Sequence, residues 1–165
     1  IIISPGAAAN ISPKDLENKK DLIVNADVFI TQLEQPLEAA KKGLEIARSA
    51  GVKTILNPAP ALKLPSGILS LCDFITPNET ETEALTGISV ETIEDAKQAA
   101  ETLKKMGVST PIITLGEKGC FFKNNEEEFL IPAKKLSVPV VDTTGAGDAF
   151  NGAFSVALSK NKNYF

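Results

Sequence analysis

The chain has 165 residues, of which 43% are hydrophobic, and 17 basic against 21 acidic side chains give a formal net charge of −4. This size and composition indicate one globular domain, and the acidic balance disfavours a strongly basic protein of the kind that binds nucleic acid or a membrane surface. The lack of histidine excludes Ser-His and Cys-His catalysis and histidine-ligated zinc, and the lack of tryptophan makes an aromatic platform for single strands a poor hypothesis.

Short apolar runs alternate with helical patterns along the first half of the chain. Strands are predicted over residues 1–3, 26–33, 52–56 and 74–76. The clearest helix is predicted over 36–50, with an apolar face that consists of Leu37, Ala40, Leu44 and Ala47. Pro36 suits the first position of this helix, and Gly51 suits the position just after it.

The second half continues the alternation. Thr80-x-x-Glu83 predicts a capping box for a short helix that stops at Gly87, and a longer helix is predicted over 92–106. The remaining predictions are strands over 112–115 and 138–141, a hairpin of 120–123 with 128–131, and a helix over 148–159. Alternating strands and helices indicate a three-layer α/β sandwich with a mostly parallel sheet, one antiparallel hairpin, and ligand sites at the carboxyl ends of the strands.

The two ends of the sequence and its cysteines suggest the setting of the protein. Because the chain starts on an apolar run and stops just after a helical pattern, it is expected to be a portion of a longer chain, truncated at both ends. Cys72 and Cys120 form no metal or redox motif, which predicts buried thiols in a reducing compartment. With no apolar run of membrane-spanning length and no visible signal peptide, a cytoplasmic location is expected.

Residues 141–154 carry the most informative motif, in which a strand pattern, a turn of small residues and a helix follow one another. The first amides of a helix lack intrahelical partners, and the small residues Gly145, Ala146 and Gly147 allow a phosphate to approach them closely. Asp148 in the same turn can accept a proton from an attacking hydroxyl. These are two of the requirements of phosphoryl transfer. Read alone, the segment is also compatible with a tight turn followed by a capping Asp148.

The whole segment resembles the carboxy-terminal signature of the PfkB family of ribokinase-like sugar kinases. It matches at Asp142, Gly145, Ala146, Gly147, Asp148, Gly152 and Ala153. Two further segments, 76–81 (TPNETE) and 114–119 (TLGEKG), resemble the Asn-x-x-Glu segment and the nucleotide loop of the family, in the family's order. Residues 57–61 (NPAPA) resemble the ribose-specific members most.

This resemblance implies an ATP-dependent kinase that phosphorylates the 5-hydroxyl of D-ribose, with Asp148 as the general base and residues 145–147 as a backbone anion hole. Glu34 is implied as a sugar contact beside Asp148. The implied nucleotide contacts are Asn78, Thr114, Gly116, Lys118 and Gly119. Glu81 is implied to hold Mg²⁺ through water, and Asp142 and Thr144 belong to an implied site for a monovalent cation, usually K⁺.

Each role has a plainer alternative. Asn78 and Glu81 could simply open a helix, Glu34 and Lys118 could be solvated surface charges, and Asp142 could cap a turn. Another PfkB kinase, for fructose or a nucleoside, and a truncated non-catalytic nucleotide-binding fragment are the alternative functions. A dinucleotide-binding oxidoreductase is disfavoured because no acidic residue follows the glycine-rich turn at the required distance.

The family pattern also indicates which parts lie outside this chain. An amino-terminal half with most of the sugar pocket and a lid, and the final carboxy-terminal helices, are expected to be absent. The expected partners are the sugar and ATP, without nucleic acid or membrane, and a homodimer is expected at full length.

Overall fold

The computed structural model describes residues 6–65 and 67–160, so the strand predicted over 1–3 lies outside the described residues. The strands are β1 (Val28–Thr31), β2 (Lys53–Leu56), β3 (Phe74–Ile75), β4 (Thr110–Thr114), β5 (Cys120–Lys123) and β6 (Glu128–Ile131). The α-helices are α1 (Pro13–Asn18), α2 (Lys20–Val24), α3 (Leu37–Ser49), α4 (Glu79–Thr86), α5 (Ile93–Lys105) and α6 (Ala146–Ser159).

The six strands form one sheet in the order in which they occur along the chain. β1 to β4 pair in parallel, and β5 and β6 add an antiparallel hairpin to β4. The predicted mostly parallel sheet with one hairpin is therefore confirmed. Because β1 to β4 run in the same direction, their carboxyl ends lie at one edge of the sheet, where ligands of open α/β sheets bind.

Alternating side chains of the strands form two cores, one on each face of the sheet. Leu56, Ile75 and Ile113 pack in the core that includes Leu44 of α3 and Leu103 of α5. Their chain neighbours Ile55, Phe74 and Ile112 belong to a second core, against which Phe150, Phe154 and Leu158 of α6 pack. The ring of Phe74 meets that of Phe154 edge-on, with centroids 5.1 Å apart. Helices on both faces confirm the predicted three-layer sandwich.

Two predicted helix starts are wrong in detail. The capping box of α4 is formed by Asn78 and Glu81, not by Thr80 and Glu83, because the extended backbone that an N-cap requires occurs at Asn78 (φ −83°, ψ −177°) directly after β3. Pro36 is the N-cap of α3 and not its first helical residue. Both predicted ends of these helices are confirmed, since Gly51 and Gly87 follow α3 and α4 with φ of 75°.

The strand predicted over 138–141 is also wrong. Val138 and Val140 are largely exposed and Val141 is 95% exposed. A strand needs a paired neighbour, and within the part of the chain that the structure describes none of the strands pairs with this segment. An apolar run in a sequence cannot show whether such a neighbour exists. The helix after it begins at Ala146, two residues before the predicted start.

Residues 6–25, for which no element was predicted, form a 3-10 turn at Gly6–Asn10 and the short helices α1 and α2. A signal was available, since Ser12 precedes Pro13 and its amide donates to Asp15 at 2.9 Å, as in a capping box. Among residues 6–65 and 67–160, no helix is long and apolar enough to traverse a bilayer.

The two cysteines are buried free thiols, as predicted. Burial raises the pKa of Cys72 to about 12 and raises the pKa of Cys120 as well. Thiolates are the reactive form, so neither side chain is activated for nucleophilic chemistry.

Candidate active site

The first turn of α6 lies at the sheet edge where β1 to β4 end. Gly145 is its N-cap in the left-handed conformation (φ 77°), which only glycine adopts without strain, and it provides no side-chain cap. The amide of Ala146 donates to the carbonyl of Thr143 at 3.1 Å. The amides of Gly147 and Asp148 follow in the same turn, where the helix itself offers no acceptor. A Cβ added at Gly147 would meet no atom within 4 Å outside its chain neighbours and its own helix backbone, so this side of the turn faces open space.

Asp148 is exposed and is held by a residue from the far end of the sequence. Its Oδ1 accepts a hydrogen bond of 2.9 Å from Nε2 of Gln32, which directly follows β1. Within the described part of the chain, the Asp148 carboxylate accepts from Gln32 and from no amide at the start of its own helix. The alternative that Asp148 is a helix cap therefore has no support, and its carboxylate is directed to the sheet edge.

Three adjoining clefts surround this turn. A cleft of about 410 Å³ on the β1 side is lined by Gln32, Gln35, Asn57 and Asp148, among others. A central cleft of about 210 Å³ contains Glu34, Asn78, Glu81, Thr114, Gly147 and Asp148. A more apolar cleft of about 510 Å³ on the β6 side contains Thr114, Gly116, Gly119, Ile131, Ala146 and Phe150. Asp148 lines the first two clefts and Gly147 the last two, so the turn of α6 joins all three.

Asn78 and Glu81 form the capping box of α4 at the central cleft. The Asn78 amide donates to Glu81 Oε2 at 2.9 Å, and the Glu81 amide donates to Asn78 Oδ1 at 2.8 Å. Asn78 Nδ2 donates to Glu81 Oε1 at 3.1 Å. Glu81 is 8% exposed, and burial raises the pKa of its carboxyl although the Asn78 hydrogen bonds act in the opposite direction. Asn78 and Glu81 therefore do open a helix, as the plainer alternative has it, and they also line the central cleft.

The Glu81 carboxylate has the capacity to hold a magnesium ion through water. Each carboxylate oxygen keeps a lone pair beyond its bond to Asn78, which can accept from metal-bound water. Among the residues described, no group of three or more acidic or thiol side chains is arranged as a metal site. Magnesium retains several waters in proteins and often contacts few carboxylates, so this donor set is compatible with the expected water-mediated arrangement.

Segment 114–119 begins at the last residue of β4, and its Thr114 lines both the central and the β6-side clefts. Thr114 is anchored by its amide, which donates to the Pro77 carbonyl at 2.9 Å. Gly116 and Gly119 have positive φ, and a Cβ at Gly119 would clash with the Ile131 backbone, so close packing also requires this glycine. Lys118 points elsewhere, since its Nζ donates to the Glu91 carbonyl at 2.9 Å.

Three other expected site residues are exposed. Glu34 lies in the central cleft, two residues after Gln32. Asp142 Oδ1 accepts from the Thr144 amide at 2.8 Å, and this bond is the main cause of the lowered pKa of Asp142. Asp142 and Thr144 precede the turn of α6 and do not line the three clefts. A carboxylate and a hydroxyl suit a monovalent cation but are an incomplete ligand set.

Several polar residues at this edge were not predicted as site residues. They are Gln32, Asn57, Thr76 and Asn151. Three of them directly follow β1, β2 and β3, which is the position where side chains of a parallel sheet reach a ligand. Asn151 lies one helical turn after Gly147. Polarity immediately after an apolar strand was therefore the available signal.

A comparison with protein families decides the ancestry. The model of the pfkB family carbohydrate kinases matches residues 1–164. This chain belongs to the pfkB family. The predicted family resemblance is thereby confirmed, whereas the role of each residue is not tested by the match.

Individual relatives agree with the family assignment. The chain is 44% identical over 163 residues to a ribokinase from Staphylococcus aureus, covering 99% of this chain and 53% of the relative. It is 38% identical over 156 residues to a deoxyribokinase from Salmonella typhi, covering 94% and 50%. The solved structure of Arabidopsis thaliana ribokinase complexed with ribose and ATP superposes with a TM-score of 0.85 at 33% identity, covering 90% of this chain and 48% of that one. The chain thus spans about half the length of these relatives.

Proposed function

We propose that the full-length protein carrying this chain is an ATP-dependent sugar kinase that phosphorylates the 5-hydroxyl of D-ribose to ribose 5-phosphate. The observation that carries the proposal is the first turn of α6, which brings an exposed carboxylate and uncapped amides to the junction of three clefts. The family membership and the ribokinase relatives support the reaction class and the sugar.

In the proposed reaction, Asp148 accepts the proton of the sugar hydroxyl while the hydroxyl oxygen forms a bond to the γ-phosphorus of ATP. The bond between that phosphorus and the oxygen bridging to the β-phosphate breaks, and ADP leaves. The Gly147 and Asp148 amides donate to the phosphoryl oxygens, which gather negative charge. The Gln32 bond to Oδ1 leaves Oδ2 of Asp148 available to the hydroxyl.

The neighbouring residues have supporting roles in this proposal. The sugar occupies the β1-side and central clefts, with Glu34 as a contact, and the nucleotide occupies the β6-side cleft. Asn78, Thr114, Gly116 and Gly119 contact the nucleotide; Lys118 does so only if its Nζ leaves the Glu91 carbonyl. Mg²⁺, held through water by Glu81, would neutralise phosphate charge, and K⁺ near Asp142 and Thr144 would brace the turn before α6.

The first test is release of ADP from MgATP, with K⁺ present, by the full-length protein offered ribose, deoxyribose, fructose or adenosine. Ribose-dependent release at the highest kcat/KM is the expected result. A higher kcat/KM for deoxyribose would move the substrate assignment toward that of the Salmonella relative, and preference for fructose or adenosine would support another PfkB activity. Failure with every acceptor would contradict the kinase and favour a non-catalytic nucleotide-binding protein.

A homodimer in the cytoplasm completes the proposal. The buried free thiols are compatible with a reducing compartment. Light scattering on the full-length protein measures the subunit number, and a monomeric mass would contradict the dimer.

A further inference from the structure

The buried residue of α6 is a polar one. Asn151 is 4% exposed, whereas the apolar side chains Phe150, Phe154 and Leu158 of the same helix remain partly accessible. Thr76, directly after β3, is 3% exposed and faces Asn151. Burial of two polar side chains against each other is costly unless they are hydrogen-bonded, so their arrangement needs a specific reason.

Hydrogen bonds make this pair a connection between the sheet and the first turn of α6. Thr76 Oγ1 donates to Asn151 Oδ1 at 2.8 Å, and Asn151 Nδ2 donates to the Gly147 carbonyl at 2.9 Å. Because a carbonyl can only accept, the amide nitrogen must face Gly147, and the amide oxygen therefore faces the threonine hydroxyl. This series of hydrogen bonds starts at Thr76 after β3, passes through Asn151 and ends on Gly147, which lines two of the clefts.

Local sequence alone does not hold this turn in place. The turn starts with Gly145, lacks a side-chain cap and contains Gly147, and glycine has the largest conformational freedom to lose. By contrast, α4 and α5 begin with their own capping boxes. At α6, Asn151 bonds to the Gly147 carbonyl one helical turn before it, and the long-range bond from Thr76 ties Asn151 to the sheet. This arrangement uses a carbonyl of the first turn and none of its amides.

We infer that Thr76 and Asn151 form a positioning pair that holds the Gly147 and Asp148 amides and the Asp148 carboxylate in the geometry for phosphoryl transfer. This inference rests on the proposed kinase function. In this inference the role of the pair is positioning, without contact to a reacting atom. It acts through Gly147, and displacements of about 1 Å at such a turn are sufficient to lower turnover roughly a hundredfold.

The test compares Thr76→Val, which removes the hydroxyl at nearly constant shape, with Thr76→Ser, which keeps it, in the full-length protein. Leu158→Ala is the matched control, because it truncates an apolar contact of α6 outside the three clefts. For each variant, Tm, kcat, both KM values and amide hydrogen exchange of the segment 143–150 are measured well below the lowest Tm.

We expect Thr76→Val to lower kcat roughly ten- to a hundredfold with both KM values within about twofold, and to speed exchange in 143–150. Thr76→Ser should restore most of kcat. Leu158→Ala should lower Tm at least as much as Thr76→Val yet keep kcat, whereas a merely structural role would make kcat follow Tm in all three proteins.

Unchanged kcat in Thr76→Val, or an equal loss in Leu158→Ala, would overturn the inference. The exchange measurement separates this outcome from failure of the proposed function. If the unmodified protein transfers no phosphoryl group, the function is wrong, and unchanged exchange of 143–150 in Thr76→Val would still count independently against the positioning pair.

Discussion

The first amides of a helix lack intrahelical acceptors, and the starts of α5 and α6 treat these amides in opposite ways. At α5, Thr92 and Asp95 satisfy each other's backbone amides, with the Thr92 amide donating to Asp95 at 2.8 Å. At α6, Gly145 offers no side chain, and the amides of Gly147 and Asp148 stay open to the clefts. A capping box uses the first amides of its own helix, whereas a helix start without a side-chain cap can present those amides to a ligand. The predictions below test this difference, and all use the full-length protein.

The largest effect is expected at the open helix start. Asp148→Asn keeps the shape of the side chain but removes the proposed base, so kcat should fall roughly a thousandfold while nucleotide binding persists. Steady-state kinetics and a nucleotide titration measure the two quantities. Asp21→Asn on α2, which removes an exposed carboxylate away from the clefts, is the control and should leave kcat unchanged. Turnover retained in Asp148→Asn would refute the base assignment.

Gly147→Ala tests the amides themselves. The added methyl meets no protein atom within 4 Å, so the fold should tolerate it, with a gain of up to about 1 kcal/mol in the free energy of unfolding from the helical propensity of alanine. The methyl would occupy the space proposed for the phosphoryl group, and kcat/KM should fall roughly a hundredfold. Denaturant unfolding measures the expected gain in stability, and steady-state kinetics measure the expected fall in kcat/KM. Full activity would show that no phosphate approaches this turn.

The capping box of α4 combines both types of helix start, because Glu81 caps and also lines the central cleft. Glu81→Gln keeps one oxygen that can accept from the Asn78 amide but loses the acceptor for Asn78 Nδ2, so Tm should fall only modestly. Removal of the charge should raise the KM for MgATP about tenfold if the residue supports Mg²⁺ through water, an effect that added Mg²⁺ should partly reverse. Glu83→Gln, at an exposed position on the same helix, should show neither change. Equal KM values in the two variants would contradict the magnesium role.

At the closed helix start, only stability should respond. Thr92→Ala removes the acceptor for the Asp95 amide and should cost about 1 kcal/mol in the free energy of unfolding, without a change in kcat. Urea denaturation measures the cost. Thr102→Ala, at a half-buried position in α5 whose hydroxyl donates to the Gln98 carbonyl, is the comparison and should not be destabilising. Loss of turnover in Thr92→Ala would contradict the prediction that the start of α5 affects stability alone.

The smallest effect concerns pH at the same closed start. Hydrogen bonds from Thr92, first from its side chain and then from its amide, lower the pKa of Asp95 below its usual value of 3.8. A lowered pKa in the folded state means that this stabilisation is complete above the usual pKa and is lost as pH falls through the lowered one. The stability advantage over Asp95→Asn should therefore disappear in acid. Urea denaturation at pH 7 and at pH 2 measures the free energy of unfolding of both proteins. The same difference between them at the two pH values would contradict the prediction.

Local patterns in the sequence were sufficient for most of the fold. Leu37, Ala40, Leu44 and Ala47 predicted α3 because helix periodicity depends on neighbours a few residues apart. The prediction failed where the deciding partner is distant, as at Val138–Val141, where no described strand provides a ladder. At α4 the motif contained two overlapping capping signals, Asn78 with Glu81 and Thr80 with Glu83, and the end of β3 selected the first.

The sequence by itself determined the family, the glycine-rich turn with Asp148, and the Asn-x-x-Glu segment, because each is a contiguous motif whose chemistry is local. Only the tertiary structure decided that Gln32 holds Asp148 and that Thr76 reaches Asn151. The residues of each pair lie far apart in the chain, and the parallel strands bring them together by ending at one edge of the sheet. Contacts of this kind depend on the packing of α6 against the sheet, which no spacing along the chain records.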